Sequence, residues 1–213
     1  MIELESPEAV LFDFDGTLAP NLDLADMRRQ VVDLTIAAGV PEEIYTGLYI
    51  IEVIEAGAAW LDKNNTAQAT HYQNSANQRI LELELNAAAA TQVFPGVKNM
   101  LSQLRQRGIS IGIVTRNCRA AIEAVFPDRE QFVDAVHARD DVVHLKPDSR
   151  HLLCNLQALN ARPNRSIMVG DGALDMQAGK ALNMHCIGVL TGSNDSAALR
   201  NAGANQILTD CIS

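Results

Sequence analysis

The chain has 213 residues, room for one core domain and a modest insertion. Hydrophobic residues at 47% and charged residues at 20% suit a packed soluble protein, while 4% aromatics are too few for a platform that stacks bases or sugars. A net charge of -9 argues against a nucleic-acid backbone as partner, yet leaves room for a small anion held by local cations and a metal.

Residues 1–7 are acidic and lack the basic and apolar regions of a leader. No apolar run approaches the roughly 18 residues of a membrane span, so no membrane partner is expected. Cys118, Cys154, Cys186 and Cys211 show no C-x-x-C spacing. A zinc or disulfide framework is therefore not expected, and free thiols suit a reducing cytoplasm. Cys118 reads as a small buried filler.

In chain order, Ala9-Val-Leu-Phe-Asp13 is a short apolar run ending in carboxylates and then Gly16. That is the pattern of a buried strand delivering polar groups to a sheet edge. Three helical patterns follow: Leu22–Ala38, closed by Gly39-Val-Pro41; Pro41 towards Trp60; and Thr66–Ala90. Thr91–Gly96 reads as a return segment. A helix over Val97–Gln106 with a Gly108 stop precedes a strand over Ile109–Thr115. A fainter strand covers Gln131–Val136, and the stripe Leu152, Leu153, Leu156 and Leu159 predicts a helix over Asp148–Leu159. Strands over Ser166–Gly170 and His185–Leu190 alternate with helices over Ala173–Leu182 and Asp195–Asn201. An edge strand over Asn205–Thr209 ends the series.

This alternation predicts an α/β fold, a Rossmann-like parallel sheet covered on both faces. Residues 1–19 and 93–213 form the expected core, and residues 20–92 an inserted helical domain. The insertion carries ten acidic and four basic groups, a net of -6.

The chemistry is expected at strand ends. In Asp13-Phe14-Asp15-Gly16-Thr17-Leu18, two carboxylates two residues apart share one side of an extended chain, a crowding that a cation or proton relieves. Gly16 permits a sharp turn near a bound anion. Asp-Gly also occurs in ordinary turns, so the motif gains weight from its companions. Thr115 ends the second strand with a hydroxyl suited to a phosphoryl oxygen or to a helix N-cap. Lys146 stands before Pro147, where a surface lysine is the ordinary reading. Gly170-Asp171 ends another strand, with Asp175 four residues on, a spacing for one direct and one supporting metal carboxylate. An oxygen-rich, cysteine-free set selects magnesium over zinc.

Four strand ends with these groups in this order resemble the haloacid dehalogenase superfamily of phosphohydrolases. The matched motifs are Asp13–Leu18, Thr115, Lys146, and Gly170-Asp171 with Asp175. The helical insertion resembles the small cap of the phosphoglycolate phosphatase and β-phosphoglucomutase branch. The resemblance implies Asp13 as nucleophile, forming an aspartyl-phosphate, and Asp15 as general acid and base. It implies Mg2+ held by the Asp13 carboxylate, the Asp15 main-chain carbonyl and Asp171, with Asp175 supporting. Thr115, the Arg116 backbone amide and Lys146 would hold the phosphoryl oxygens. The implied substrate is a small phosphomonoester such as phosphoglycolate or a sugar phosphate.

Asp15 separates this pattern from the dehalogenases, which lack it, and from the phosphonatases, which replace it and use a cap lysine. Lys63 is the only lysine of the insertion and reads as a solvated loop residue. A phosphomutase keeps Asp15, so hydrolase and mutase both stand, as does a catalytically silent domain on the same fold. Arg28 and Arg29 are the cap candidates for a substrate anion, against their reading as an exposed helical face.

Overall fold

The computed structural model describes residues 7–213; the acidic stretch read above as lacking leader features lies outside them at residues 1–6. The chain divides into two compact units, residues 23–87 and the remainder.

The larger unit is built on β1 (Ala9–Phe12), β2 (Ser110–Val114), β3 (Ala135–His137), β4 (Ser166–Gly170), β5 (His185–Val189) and β6 (Gln206–Leu208). All five pairings are parallel, in the order β3-β2-β1-β4-β5-β6. The expected α/β class is thus present, with the last strand at an edge as expected. All four residues of β1 are buried, as an unbroken apolar run requires when helices cover both faces. Val10 and Phe12 enter a cluster with Leu101, Ile111, Ile113, Ile122 and Phe126. Leu11 joins Val114, Leu152, Leu156, Met168 and Met176 on the other face, the alternation a strand imposes.

The covering helices are α5 (Val97–Gln106), α6 (Arg119–Val125), α7 (Arg150–Ala158), α8 (Ala173–Ala181) and α9 (Ser196–Ala202); α1 to α4 lie in the insertion. The chain goes from β1 to β2 and β3 on one side, then crosses to β4, β5 and β6 on the other. The point where the order reverses lies beside β1, and in open parallel sheets ligands bind at the carboxyl ends of strands there.

Two boundaries differ from the sequence reading for local reasons. The segment expected as strand over Gln131–Val136 begins as a 3-10 turn at Arg129–Gln131, because the Phe132 and Val133 amides donate back to the Arg129 carbonyl at 2.8 and 2.9 Å. The helix expected from Asp148 starts at Arg150, because the Asp148 carboxylate accepts the Arg150 N–H at 2.9 Å and forms its own turn.

The smaller unit is helical: α1 (Leu24–Ala37), α2 (Glu42–Tyr45), α3 (Ile50–Asp62) and most of α4 (Thr66–Ala88). Asp23 caps α1 by accepting the Asp26 N–H at 2.9 Å. The helix expected from Pro41 towards Trp60 is broken in two at Gly47, whose φ of +76° turns the chain where a side chain would be strained. Ala69, Tyr72, Ala76 and Ile80 form the buried stripe of α4. The Tyr72 hydroxyl lies 2.8 Å from that of Thr35, and a Cβ on Gly57 would stand 2.8 Å from it, so this helix contact requires glycine.

Candidate active site

Parallel register brings the chemistry-bearing strand ends level. Phe12 pairs with both Ile113 and Val169, so Asp13, Thr115 and Asp171 emerge one or two residues later at the same sheet edge. The Asp13 N–H donates to the Val169 carbonyl at 2.9 Å, and the Thr115 N–H to the His137 carbonyl at 3.1 Å. These bonds extend the ladder into the site and fix the main chain from which the side chains project.

Lys146 is 2% exposed. Its ammonium reaches three acceptors: Asp13 Oδ1 at 2.8 Å, Asp175 Oδ1 at 2.6 Å and the Val114 carbonyl at 2.6 Å. All three of its N–H donors therefore have a place. Burial opposes the charge, but Asp13 and then Asp175 outweigh it and hold the lysine above its ordinary pKa.

Asp13, Asp171 and Asp175 each offer one oxygen within 4.8 Å of the others. Burial, and next the Asp13 charge, push Asp171 up to about 6 against hydrogen bonds from Ser193. Asp175 is pushed up to about 7 by burial and Asp13, with Lys146 opposing. Three carboxylates facing one ammonium leave an excess of negative charge in a largely buried site, which a divalent cation would relieve. Carboxylate oxygens without thiolate or imidazole suit a hard cation of the magnesium type.

Asp171 is gripped from two sides. Thr17 Oγ1 donates to Oδ1 at 3.3 Å, while Ser193 donates to Oδ2 from its N–H at 2.8 Å and its hydroxyl at 3.2 Å. A Cβ on Gly192 would stand 1.9 Å from the same Oδ2, and one on Gly16, at φ +79°, 2.6 Å from the Asp171 Cγ. Backbone must approach the carboxylate closely at both points, and only glycine permits it. Thr191 Oγ1 donates to the Gly16 carbonyl at 2.6 Å, joining the loop after β5 to the turn after β1. Sequence reasoning missed Thr191, Gly192 and Ser193; the small polar run closing the strand at His185–Val189 was the available signal.

Asp15 faces Asn117, whose amide Nδ2 lies 3.1 Å from both carboxylate oxygens. Thr115 Oγ1 is 3.5 Å from Asp15 Oδ2 and accepts the Asn117 N–H at 3.0 Å. Asn117 was also missed, although it lies two residues beyond Thr115 and is buried. Arg116 turns its guanidinium back to the Lys146 carbonyl, and its own carbonyl accepts from Arg139 Nη1 at 3.0 Å. Cys118 is buried, with its sulfur accepting the Ala121 N–H at the start of α6.

Asp13, Asp15, Thr115, Arg116, Lys146, Asp171 and Asp175 thus gather at one edge of the sheet. Arg28 and Arg29 belong to the helical unit. Arg28 Nε donates to the Leu48 carbonyl at 3.4 Å. Arg29 pairs with Asp26 and, at 3.3 Å, with Asp33, its side chain 62% exposed.

A family model described as haloacid dehalogenase-like hydrolase matches residues 10–189. A phosphoglycolate phosphatase of Pseudomonas putida is 26% identical over 96% of this chain and 77% of its own. One of Salmonella typhimurium is 27% identical over 93% of this chain and 87% of its own. Among solved structures, a hydrolase from Pseudomonas syringae superposes with a TM-score of 0.72 at 19% identity, covering 96% of this chain and 94% of that one. A β-phosphoglucomutase from Clostridium difficile does so with a TM-score of 0.70 at 18% identity, covering 97% and 92%. At these identities the structural matches speak for the fold.

Proposed function

The chain belongs to the haloacid dehalogenase-like hydrolases as an enzyme acting on phosphoric monoesters, and from that premise we propose that it hydrolyses a small phosphomonoester through a phosphoryl group carried on Asp13. The observation that carries this reading is the Lys146 ammonium bonded at once to Asp13 and Asp175, beside Asp171, at the end of β1.

In this reading Lys146 holds Asp13 Oδ1, and Oδ2 attacks phosphorus. As the new O–P bond forms, the ester P–O bond breaks and Asp15 gives its proton to the leaving oxygen. Asp15 then takes a proton from a water whose oxygen attacks phosphorus, the Asp13–phosphorus bond breaks, and inorganic phosphate departs. The Thr115 hydroxyl and the Arg116 backbone amide hold phosphoryl oxygens, and the Lys146 ammonium shares its Asp13-facing N–H with one of them. The Asp13 and Asp171 carboxylates and the Asp15 main-chain carbonyl, supported by Asp175, would hold a magnesium ion, which supplies neutralising charge at the transferring group. Asn117, hydrogen-bonded to both oxygens of Asp15, orients that carboxylate between its two proton transfers.

Residues 20–92 serve as the cap that selects the substrate, a role supported by the separate helical unit at residues 23–87. Of the two cap arginines, Arg28 is better suited to a substrate anion, because Asp26 and Asp33 already neutralise Arg29. The curated phosphatase relatives favour hydrolysis of a phosphoglycolate-like ester over a mutase reaction. Four free cysteines support a reducing, cytoplasmic setting, and no helix among the described residues is long and apolar enough to cross a membrane.

A panel of phosphomonoesters with magnesium tests this reading, with phosphoglycolate and hexose phosphates as its central members. Stoichiometric release of inorganic phosphate is expected. Transfer of the phosphoryl group to another hydroxyl of a hexose phosphate, with none released, would favour the mutase.

The metal assignment has its own signature in stability. Asp171 and Asp175 titrate above the ordinary aspartate value, so between that value and about 7 the folded, metal-free protein binds more protons than the unfolded chain. Their contribution therefore weakens as pH rises through this window. Magnesium competes with those protons, so its stabilising effect grows over the same window. The rise in melting temperature on adding magnesium should be larger at about pH 8 than at about pH 5. Equal increments at both would contradict the assignment.

A further inference from the structure

We propose that His151 is a positioning residue that ties Lys146 to Thr115, keeping the ammonium and the hydroxyl assigned to the phosphoryl group at a fixed separation. Its effect on turnover rests on the phosphatase reading; its geometry does not.

His151 lies in the first turn of α7 with no exposed surface. Its ring has two polar atoms, and both meet main chain. The Lys146 N–H donates to Nδ1 at 3.3 Å, and Nε2 lies 3.1 Å from the His137 carbonyl oxygen. An acceptor at Nδ1 places the ring proton on Nε2, which therefore donates to that carbonyl. The same carbonyl accepts the Thr115 N–H at 3.1 Å. One imidazole thus completes a continuous hydrogen-bonded path from the backbone of Lys146 to the backbone of Thr115.

Neighbouring groups make this path stiff. Asn155, one turn further along α7 and fully buried, donates to the Ile113 carbonyl at 2.9 Å and lies 3.1 Å from His137 Nδ1. The Arg116 guanidinium holds the Lys146 carbonyl from the other side. Lys146 is therefore fixed at its N–H by the His151 ring of α7 and at its C=O by Arg116, the neighbour of Thr115. Its flexible four-carbon stem can place the ammonium reproducibly only if the main chain beneath it is fixed. Burial and the nearby Lys146 charge hold the ring neutral, with a pKa near 3, so the pattern of one donor and one acceptor persists around neutral pH. Packing alone needs no such pattern; an apolar side chain of similar size would serve.

Three variants separate the two bonds. His151→Asn restores an acceptor near the Nδ1 position, His151→Gln a donor near Nε2, and His151→Leu neither. Turnover of an aryl phosphate at saturating magnesium is measured beside melting temperature, and crystal structures locate Lys146. For His151→Leu, kcat should fall about 30- to 100-fold, more than KM rises, as expected for a misplaced group acting in the transition state. Because the tie needs both bonds, His151→Asn and His151→Gln should each stay well below wild type, by more than any fall in melting temperature explains. Wild-type kcat in His151→Leu would overturn the proposal, as would losses in the Asn and Gln variants that merely follow their melting temperatures. If His151→Leu does not fold, the Asn and Gln variants decide by the same comparison of kcat with melting temperature. If the wild type turns over no phosphate ester, the phosphatase reading fails and the crystal structures decide the positioning role. Displacement of the ammonium from Asp13 Oδ1 in His151→Gln would sustain it, and an unchanged 2.8 Å contact would overturn it.

Discussion

Asp13→Asn is expected to lower turnover by at least about 1000-fold, because an amide oxygen is a poor nucleophile. The same substitution should not harm the fold. Asp13 is among the causes that raise both Asp171 and Asp175, so removing its charge relieves like-charge crowding around two buried carboxylates. The metal-free variant should therefore be at least as stable as the wild type near neutral pH, with Lys146 still paired to Asp175. Steady-state kinetics and urea unfolding of the same preparation check both halves. Near-wild-type turnover would remove Asp13 from the chemistry.

Lys146→Met is expected to have the largest effect on stability. It leaves Asp175, 3% exposed, and Asp13, 14% exposed, facing each other without the buried cation between them. Breaking a buried ion pair in this one-sided way typically costs about 3–5 kcal/mol. The loss should be smaller at about pH 5, where Asp175 can take up a proton, than at about pH 8. Magnesium should restore part of it by supplying positive charge to the same carboxylates. Urea unfolding at both pH values, with and without magnesium, measures these differences. A pH-independent loss, indifferent to magnesium, would mean that Lys146 acts through packing alone.

The sheet was legible because each central strand is an unbroken apolar run, and a parallel sheet buried on both faces demands that pattern. Asp13, Thr115 and Asp171 could be placed at strand ends for the same reason: the apolar run stops where the polar group begins. Lys146 carries no such signal, since it follows a loop and precedes a turn held by Asp148; its burial depends on a tertiary arrangement that the resemblance alone suggested. The grip of Ser193 and Thr191 on the Asp171 and Gly16 region joins segments more than 150 residues apart in part, as does Thr17 with Asp171 at a separation of 154. No local periodicity encodes such contacts. His151 and Asn155 are polar residues on the apolar face of α7, where a pattern of hydrophobic spacing registers only interruptions. Gly47 was visible as a residue, but its left-handed turn between α2 and α3 depends on a backbone choice that glycine permits and does not compel.

The central claim is that Asp13 carries the phosphoryl group. The most direct measurement is mass spectrometry of Asp15→Asn after mixing with magnesium and an aryl phosphate and quenching in acid. An aryl oxide leaves without needing a proton, whereas the second step needs the base that this variant lacks, so the intermediate should accumulate. A phosphoryl adduct on the peptide containing Asp13, absent when Asp13→Asn is added, is the predicted result. Sustained phosphate release with no adduct on that peptide would contradict the account.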